Sequence, residues 1–292
     1  MTVGQAIVMG LLQGITELFP ISSLGHSVIL PTLLGWQIDQ SDPAFLDFVI
    51  LTHFATALVL FLFFWKDWVR ILRGIARTLI GRGARGVDAQ LGWRLVAATI
   101  PAGLIGLLLQ KRIEALFADP ALIALVLIGN GVLLLIAERL RRIRARQEGE
   151  LPAGRAAITG DARLAMMRWR DAILVGLSQC LALIPGFSRT GATLGGGLLA
   201  GLSHEDAARF SFLLATPIIG AAALLKLPGL ALSGRQELAA PMIAGALAAA
   251  LAAYLSVRFL TRYFKTKTLV PFGVYCIVTG IVAALAFMAY GA

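Results

Sequence analysis

The chain has 292 residues, of which 58% are hydrophobic and only 14% are charged, and its mean hydropathy is +0.83. Apolar segments of membrane-spanning length recur along it, which excludes a soluble enzyme with one large core and predicts an all-α polytopic protein of the lipid bilayer. The net charge is +10, and the basic residues lie mainly in the loops between these segments. We therefore attribute the charge to membrane topology and expect no nucleic-acid partner. The first residues lack a basic segment, and we expect no cleavable signal peptide.

Residues 3–34 form the first apolar stretch, and a polar break interrupts it near the middle. The break reads Pro-Ile-Ser-Ser-Leu-Gly at 20–25. Each arm beside it has about 14–17 residues, which is short for a span that needs about 20. We therefore predict a re-entrant helical hairpin at 3–34, which enters and leaves the membrane on one side. Three full spans follow it, at 45–65, 92–110 and 121–137.

The second half of the chain repeats this order. Residues 172–202 form another apolar stretch, broken by Pro-Gly-Phe-Ser-Arg-Thr-Gly at 185–191, and we predict a second re-entrant hairpin there. Three more spans follow, at 210–225, 240–257 and 269–289. The segment 141–170 between the halves is rich in arginine and also contains proline and glycine, so it is predicted to be a solvated cytoplasmic linker.

The two halves also resemble each other in their broken stretches. A shift of 166 positions pairs Ser22 with Ser188 and also pairs several glycines. Because three spans are an odd number, the second hairpin starts on the opposite face from the first. The sequence therefore predicts one membrane domain, 1–292, built from inverted repeats at 1–140 and 171–292. Paired interruptions of this kind point to a site near the bilayer midplane.

The positive charges predict which face is cytoplasmic. Of the 26 lysines and arginines, 21 fall in four loops that this layout places on one face, and 4 fall on the other. The four basic loops are 66–94, 139–170, 201–209 and 258–267. Under the positive-inside rule that face is cytoplasmic. The second hairpin then opens to the cytoplasm, while the first hairpin and both termini face the exterior, or the periplasm where the cell has one.

The two breaks together form the predicted site, because a backbone broken at membrane depth is tolerated only where protein buries it or where it lines a wet cavity. The helices that restart near Ser23 and Ser188 would aim their N-terminal amides at one region, and such helix ends favour phosphate. Arg189, the lone cation within the hairpins, can chelate phosphate through two N–H groups. Hydroxyls for the same anion are carried by Ser22, Ser23, Ser188, Thr190 and Thr193.

The first break also carries the groups that phosphoryl transfer needs. Gln13 and Glu17 lie four residues apart on one face of the first arm, and His26 follows Ser23 by three residues, hence close to it on a helix. A serine, a carboxylate and a histidine at an anion site can supply a nucleophile and its acid–base partners. Ser23 is either that nucleophile or a helix cap and phosphate ligand. His53, in the first full span, either faces the site or packs against a hairpin.

Two segments, QGITELFPISSLGH at 13–26 and PGFSRTGAT at 185–193, resemble the signature motifs of the bacterial undecaprenyl-diphosphatase (bacitracin-resistance protein) family. The likeness covers essentially the whole chain and includes FSFLLATP at 210–217. It implies an enzyme of the bacterial cytoplasmic (inner) membrane that removes the terminal phosphate of undecaprenyl diphosphate at the outer face. That reaction recycles the lipid carrier for peptidoglycan and other envelope polymers.

The resemblance also implies roles for single residues. Gln13 and Glu17 stand at the family's Glu/Gln-x-x-x-Glu pair. Ser23 and His26 match its catalytic serine and histidine, and Arg189 matches its phosphate-binding arginine. The remaining hydroxyl groups of the two breaks, together with Gln13, are expected to help bind the diphosphate.

Three positions depart from the family pattern. Gln13 stands where many members have glutamate, so it cannot act as a general base and Glu17 must carry any carboxylate role. Leu24 occupies a position often held by threonine, which removes one hydroxyl, whereas Thr190 replaces a common serine and keeps its hydroxyl. None of these changes removes a group that the chemistry requires.

Parts of the sequence also resemble a transporter or a second type of membrane phosphatase. A transporter or flippase of a polyprenyl phosphate lipid is compatible with an inverted repeat, since fold alone does not settle function. The set of serine, histidine and carboxylate favours hydrolysis. A second superfamily of membrane phosphatases has an SGH motif that SLGH at 23–26 resembles, but no second histidine follows Arg189 within the next several residues.

We expect no built-in cofactor and no metal ligands in the protein. A single deep carboxylate cannot build an all-protein cage for Mg²⁺ or Ca²⁺, so either ion would be shared with the phosphates of the substrate. The expected partners are the lipid substrate and the bilayer, and a homodimer is compatible with the sequence.

Overall fold

The computed structural model describes residues 1–36, 38–39, 42–81, 86–115, 120–148, 160–232 and 239–290. Within these ranges the regular structure is helical and contains no β-strand. Six of the helices are long and apolar enough to cross a membrane. The predicted class, an all-α polytopic membrane protein, is confirmed.

Twelve helices occur in the described ranges. The first half contributes α1 (Val3–Thr16), α2 (Ser23–Leu33), α3 (Pro43–Phe63), α4 (Trp65–Leu79), α5 (Val87–Ala115) and α6 (Pro120–Glu148). The second half contributes α7 (Gly160–Ala165), α8 (Trp169–Gln179), α9 (Arg189–Leu199), α10 (His204–Leu232), α11 (Ala239–Tyr263) and α12 (Val270–Tyr290). A 3₁₀ turn at Cys180–Leu183 extends α8.

Both predicted breaks are present, and each ends in a serine cap. The Oγ atom of Ser22 accepts the backbone N–H of Gly25 at 3.2 Å, and the Oγ atom of Ser188 accepts that of Gly191 at 3.0 Å. A side-chain oxygen at this position satisfies one of the free N–H groups of a new helix. The helices α1, α2, α8 and α9 beside the breaks have 11 to 14 residues, fewer than a span of about 20 requires.

The six long helices begin and end close to the predicted spans or extend beyond them. The largest differences are in α5, α6 and α10, which run past the apolar segments 92–110, 121–137 and 210–225. Hydropathy marks only the part of a helix that lies in lipid, whereas backbone hydrogen bonding continues the helix into water.

Two segments predicted as loop or linker are partly helical, which corrects the sequence analysis. The loop at 66–94 contains α4, which buries Trp68 and Ile71, and also the start of α5. The linker predicted at 141–170 begins with the last turns of α6 and contains α7, and residues 149–159 lie outside the described part of the chain. The apolar residues of α4 recur at helical spacing, a pattern that the composition of the loop as a whole does not show.

The basic segments of three predicted cytoplasmic loops lie in contact. Asp161 accepts Arg209 Nε at 2.7 Å and Arg70 Nη2 at 2.9 Å, and Arg209 Nη2 also lies 3.0 Å from Asp67. Burial opposes ionisation of Asp161, but its bonds to Arg209 and Arg70 outweigh this effect and hold its pKa below the ordinary value. These contacts bring three of the four predicted cytoplasmic loops together. We call this region the basic end.

Glycines allow α1 to approach α11 closely. A Cβ atom added at Gly10 would overlap the carbonyl oxygen of Gly245, and one added at Gly14 would overlap that of Ala249. Small residues at such contacts let two membrane helices pack backbone to backbone. The packing fixes α1, and therefore the start of the first break, against the second half of the chain.

Replacing Gly14 with alanine is expected to destabilise the fold by about 1–3 kcal/mol, because the methyl group overpacks a contact that cannot widen locally. The matched control is Gly4→Ala in the same helix, where an added Cβ meets only Thr2 Oγ1 at 4.0 Å. Thermal unfolding in detergent should show a lower midpoint for Gly14→Ala and no decrease for Gly4→Ala. Equal midpoints would contradict the close-packing interpretation.

Candidate active site

The two breaks lie directly against each other. The hydroxyl of Thr190 donates to the carbonyl oxygen of Glu17 at 2.9 Å, and the hydroxyl of Ser188 donates to the carbonyl oxygen of Phe19 at 3.4 Å. These bonds satisfy backbone oxygens that the end of α1 leaves free. The expectation that the breaks meet is therefore confirmed.

Asn130 of α6 joins the breaks from a third side. Its Nδ2 donates to the carbonyl oxygen of Pro20 at 3.1 Å, while its Oδ1 accepts the backbone N–H of Ser188 at 3.1 Å. The side chain is fully buried. Asn130 is not among the predicted site residues, although a lone amide in an otherwise apolar span is a signal that could have indicated it.

Glu17 is the centre of the site. Its Oε1 accepts Arg189 Nη2 at 3.0 Å. Its Oε2 accepts the hydroxyl of Ser23 at 2.5 Å and the amide Nε2 of Gln13 at 3.3 Å. The carboxylate is 7% exposed, and the polar groups around it offset the cost of burying its charge.

The structure gives the two adjacent serines different surroundings. Ser22 has φ +67°, the only left-handed value at a non-glycine residue among the described residues, and its oxygen serves as the cap of α2. Ser23 is the first residue of α2 and directs its hydroxyl to Glu17. A positive φ in a residue with a side chain costs about 1–3 kcal/mol, and such strain concentrates at functional sites. The turn at Ser22 thereby aims Ser23 at the carboxylate.

Arg189 keeps part of its guanidinium free. Its Nη2 bonds Glu17, but Nε and Nη1 are buried and have no hydrogen-bond partner among the described residues. Buried N–H groups without a partner cost free energy until an acceptor arrives. An anion such as a phosphate, which accepts through several oxygens, is suited to these two donors.

His26 makes its hydrogen bonds to the turn before α2 and to α12. Its Nδ1 donates to the carbonyl oxygen of Ser22 at 2.6 Å, and its Nε2 is 2.9 Å from the hydroxyl of Tyr275 on α12. The two rings are stacked with centroids 5.7 Å apart. Although His26 follows Ser23 on the same helix, its hydrogen bonds hold the capping turn and not the serine hydroxyl. Tyr275 is a second residue that the sequence analysis missed.

His53 faces the site, which decides between the two interpretations of this residue. Its Nε2 lies 3.2 Å from Oε2 of Glu17. The ring therefore shares one carboxylate oxygen with Ser23 and Gln13.

The predicted hydroxyl ligands are largely engaged in internal hydrogen bonds. Thr193 lies 2.5 Å from the hydroxyl of Ser211 and also donates to the carbonyl oxygen of Arg189. Thr190 and Ser188 bond the first break, and Ser22 serves as a cap. In this structure these four residues build the walls of the site, while Ser23 and Arg189 donate hydrogen bonds to Glu17.

No group of three or more histidine, cysteine, aspartate or glutamate residues in the described ranges has the geometry to hold a metal ion. Glu17, the carboxylate of the site, already accepts hydrogen bonds from Arg189, Ser23 and Gln13. This donor set fits an anion better than a cation.

Comparisons with known proteins agree in pointing to one family. The sequence model of the bacitracin resistance protein BacA family matches residues 6–282. An undecaprenyl-diphosphatase 2 of Frankia alni is 44% identical over 97% of both chains. Proteins named undecaprenyl-diphosphatase from Mycolicibacterium paratuberculosis and Acidiphilium cryptum are each 47% identical, over 94% and 96% of both chains.

Proposed function

The chain belongs to the bacitracin resistance protein BacA family, and from this premise we propose that its site cleaves undecaprenyl diphosphate. The protein is a membrane phosphatase that hydrolyses this lipid to undecaprenyl phosphate and inorganic phosphate. One observation carries the assignment of the reaction to this site. One oxygen of the buried Glu17 carboxylate accepts the hydroxyl of Ser23, and the other accepts Arg189, whose Nε and Nη1 have no partner among the described residues.

The proposed reaction begins with attack of Ser23 Oγ on the terminal phosphorus atom. Glu17 accepts the hydroxyl proton, the bond from phosphorus to the bridging oxygen breaks, and undecaprenyl phosphate leaves. Water then hydrolyses the phosphoserine, releasing inorganic phosphate and returning the proton to Ser23. Arg189 and the N-terminal amides of α9 neutralise the negative charge that builds on the transferring phosphoryl group.

His26 has an orienting role in this proposal. It holds the carbonyl oxygen of Ser22 through Nδ1, and Tyr275 fixes its other nitrogen. Ser22 directly precedes the nucleophile Ser23. A fixed His26 ring therefore holds the strained turn at Ser22 and, with it, the direction of the Ser23 hydroxyl.

The architecture proposed for the membrane is an inverted repeat of two re-entrant hairpins. In the first repeat, 1–140, the helices α1 and α2 form the hairpin at 3–34. In the second, 171–292, the helices α8 and α9 form the hairpin at 172–202. Support comes from the length of these helices, from the serine cap at the same place in each break, and from the three long helices that follow each one.

The proposed orientation puts the basic end in the cytoplasm. Its cluster of arginines supports this by the positive-inside rule. The site then opens to the outer face of the bacterial inner membrane, and both termini face outside. Mg²⁺ or Ca²⁺ is proposed to arrive with the diphosphate, since phosphate oxygens are the ligands that such ions prefer.

Release of inorganic phosphate from undecaprenyl diphosphate by the purified protein in detergent tests the proposal. We expect turnover that saturates with lipid concentration. Tight binding of the lipid without phosphate release would contradict hydrolysis and favour the transporter or flippase reading.

A further inference from the structure

Both ring nitrogens of His53 face oxygen atoms, which restricts where its protons lie. Its Nδ1 lies 2.8 Å from the carbonyl oxygen of Val49, one turn earlier in α3. A carbonyl oxygen only accepts hydrogen bonds, so Nδ1 carries a proton. The other ring nitrogen, Nε2, lies 3.2 Å from Oε2 of Glu17. A lone pair on Nε2 facing an ionised carboxylate oxygen would be repulsive, so a proton lies between these two atoms.

The neighbours of Glu17 decide where that proton rests. Ser23 and Gln13 direct donors at Oε2, and Arg189 directs a donor at Oε1. Three donors in addition to His53 favour the ionised carboxylate, because a protonated carboxyl group would lose acceptor capacity toward them. The proton therefore belongs to Nε2, and His53 is an imidazolium.

We propose that His53 is a positioning residue that acts as a cation. It holds Glu17 toward Ser23. The charges of His53, Arg189 and Glu17 then sum to +1. That surplus charge is matched to a diphosphate, so the inference rests on the proposed hydrolysis and deepens it. The hydrogen bond to Val49 fixes the ring orientation before substrate arrives.

The charged groups that act on His53 come from two elements. Glu17 at the end of α1 and Arg189 of α9 are its charged neighbours. The helices α10 and α11 also pack against α3, but their Glu205, Arg209 and Arg262 line a cleft beside Phe63 and Phe64, and α4 begins at this same end of α3. That cleft is about ten residues of helix, or about 15 Å, from His53. Titration of His53 is therefore controlled by the site itself.

Nitrogen-15 NMR of histidine side chains tests the protonation state without any turnover. The chain has three histidines, so the signal of His53 is assigned by its loss in His53→Gln. We expect protons on both ring nitrogens of His53 at pH 7 in the wild type and on one nitrogen in Glu17→Gln. A singly protonated His53 in the wild type, or an unchanged state in Glu17→Gln, would overturn the proposal. Because no phosphate release is needed, this result is independent of whether the protein hydrolyses the lipid.

Kinetics test whether the cation matters to the reaction. Glutamine at position 53 can still donate to Glu17 but carries no charge, so His53→Gln is expected to lower kcat about 10²-fold. In the wild type we expect kcat to fall at alkaline pH as His53 loses its proton. This fall should be absent from His53→Gln. The matched control is His204→Gln, since His204 lies 2.7 Å from Glu138 at the basic end, outside the site. It is expected to keep the wild-type pH profile. Wild-type kcat and an unchanged alkaline limb in His53→Gln would show that His53 only packs.

Discussion

Arg189→Ala is expected to lower kcat/KM for undecaprenyl diphosphate by about 10³-fold, or about 4 kcal/mol of transition-state stabilisation. The guanidinium has two buried nitrogen atoms, Nε and Nη1, without a hydrogen-bond partner among the described residues. In the proposed reaction these groups bind oxygens of the transferring phosphoryl group, on which negative charge grows. Alanine removes both donors and the charge, while Glu17 keeps its contact with His53.

Arg189→Lys separates the charge of the side chain from its shape. Lysine restores the positive charge but has a single nitrogen in place of the planar guanidinium, so we expect activity between those of the wild type and the alanine variant. The control is Arg168→Ala, because Arg168 also pairs with a carboxylate, Asp171, but lies exposed at the basic end. Its activity should stay near that of the wild type. Retention of more than a tenth of the activity in Arg189→Ala would remove Arg189 from the proposed chemistry.

The breaks could be predicted because their signals are local. Pro20 and Pro185 lie in apolar stretches near serines that cap the helices α2 and α9. Proline cannot continue a helix and serine favours its start, so the order of residues is enough to place both ends. The same reasoning identified Glu17 and Arg189, since a charge among apolar residues needs a function or a partner.

The residues that the sequence could not place reach the site from other helices. His53, Asn130 and Tyr275 lie on α3, α6 and α12, and each contacts a break that is distant in the chain. Which face of an apolar helix points inward depends on how six long helices pack, and a lipid-facing side chain is as apolar as a buried one. Periodicity therefore carries little information about these three positions.

The roles of Ser22 and Ser23 could not be separated from composition either. Two adjacent serines before a helix are equally good candidates for a cap and for a nucleophile. The left-handed backbone of Ser22 separates their contacts, because it turns one hydroxyl to the helix amide and the other to Glu17. Backbone dihedral angles of this kind are set by the contacts of the whole break.

Ser23→Ala is expected to lower kcat about 10³-fold or more while the lipid still binds, because the variant lacks the attacking oxygen but keeps Arg189. Acid quenching of the wild type with lipid labelled in its terminal phosphate should trap a phosphoenzyme, and mass spectrometry should locate the phosphate on Ser23. Label on His26 would move the nucleophile to that ring. Full turnover of Ser23→Ala without a trapped intermediate would assign the attack to water.

The matched control is Ser27→Ala, one turn later in α2. Ser27 is equally buried, but its hydroxyl donates to the carbonyl oxygen of Ser23 at 3.0 Å and does not approach Glu17. We expect this variant to keep most of its turnover.

If Ser23 and Glu17 act as one unit, the double variant Ser23→Ala, Glu17→Gln should be little slower than Ser23→Ala alone, because a carboxylate without its serine has no proton to accept. If the loss of kcat in the double variant equals the product of the losses in the two single variants, Glu17 acts on the phosphate or on Arg189 independently of Ser23.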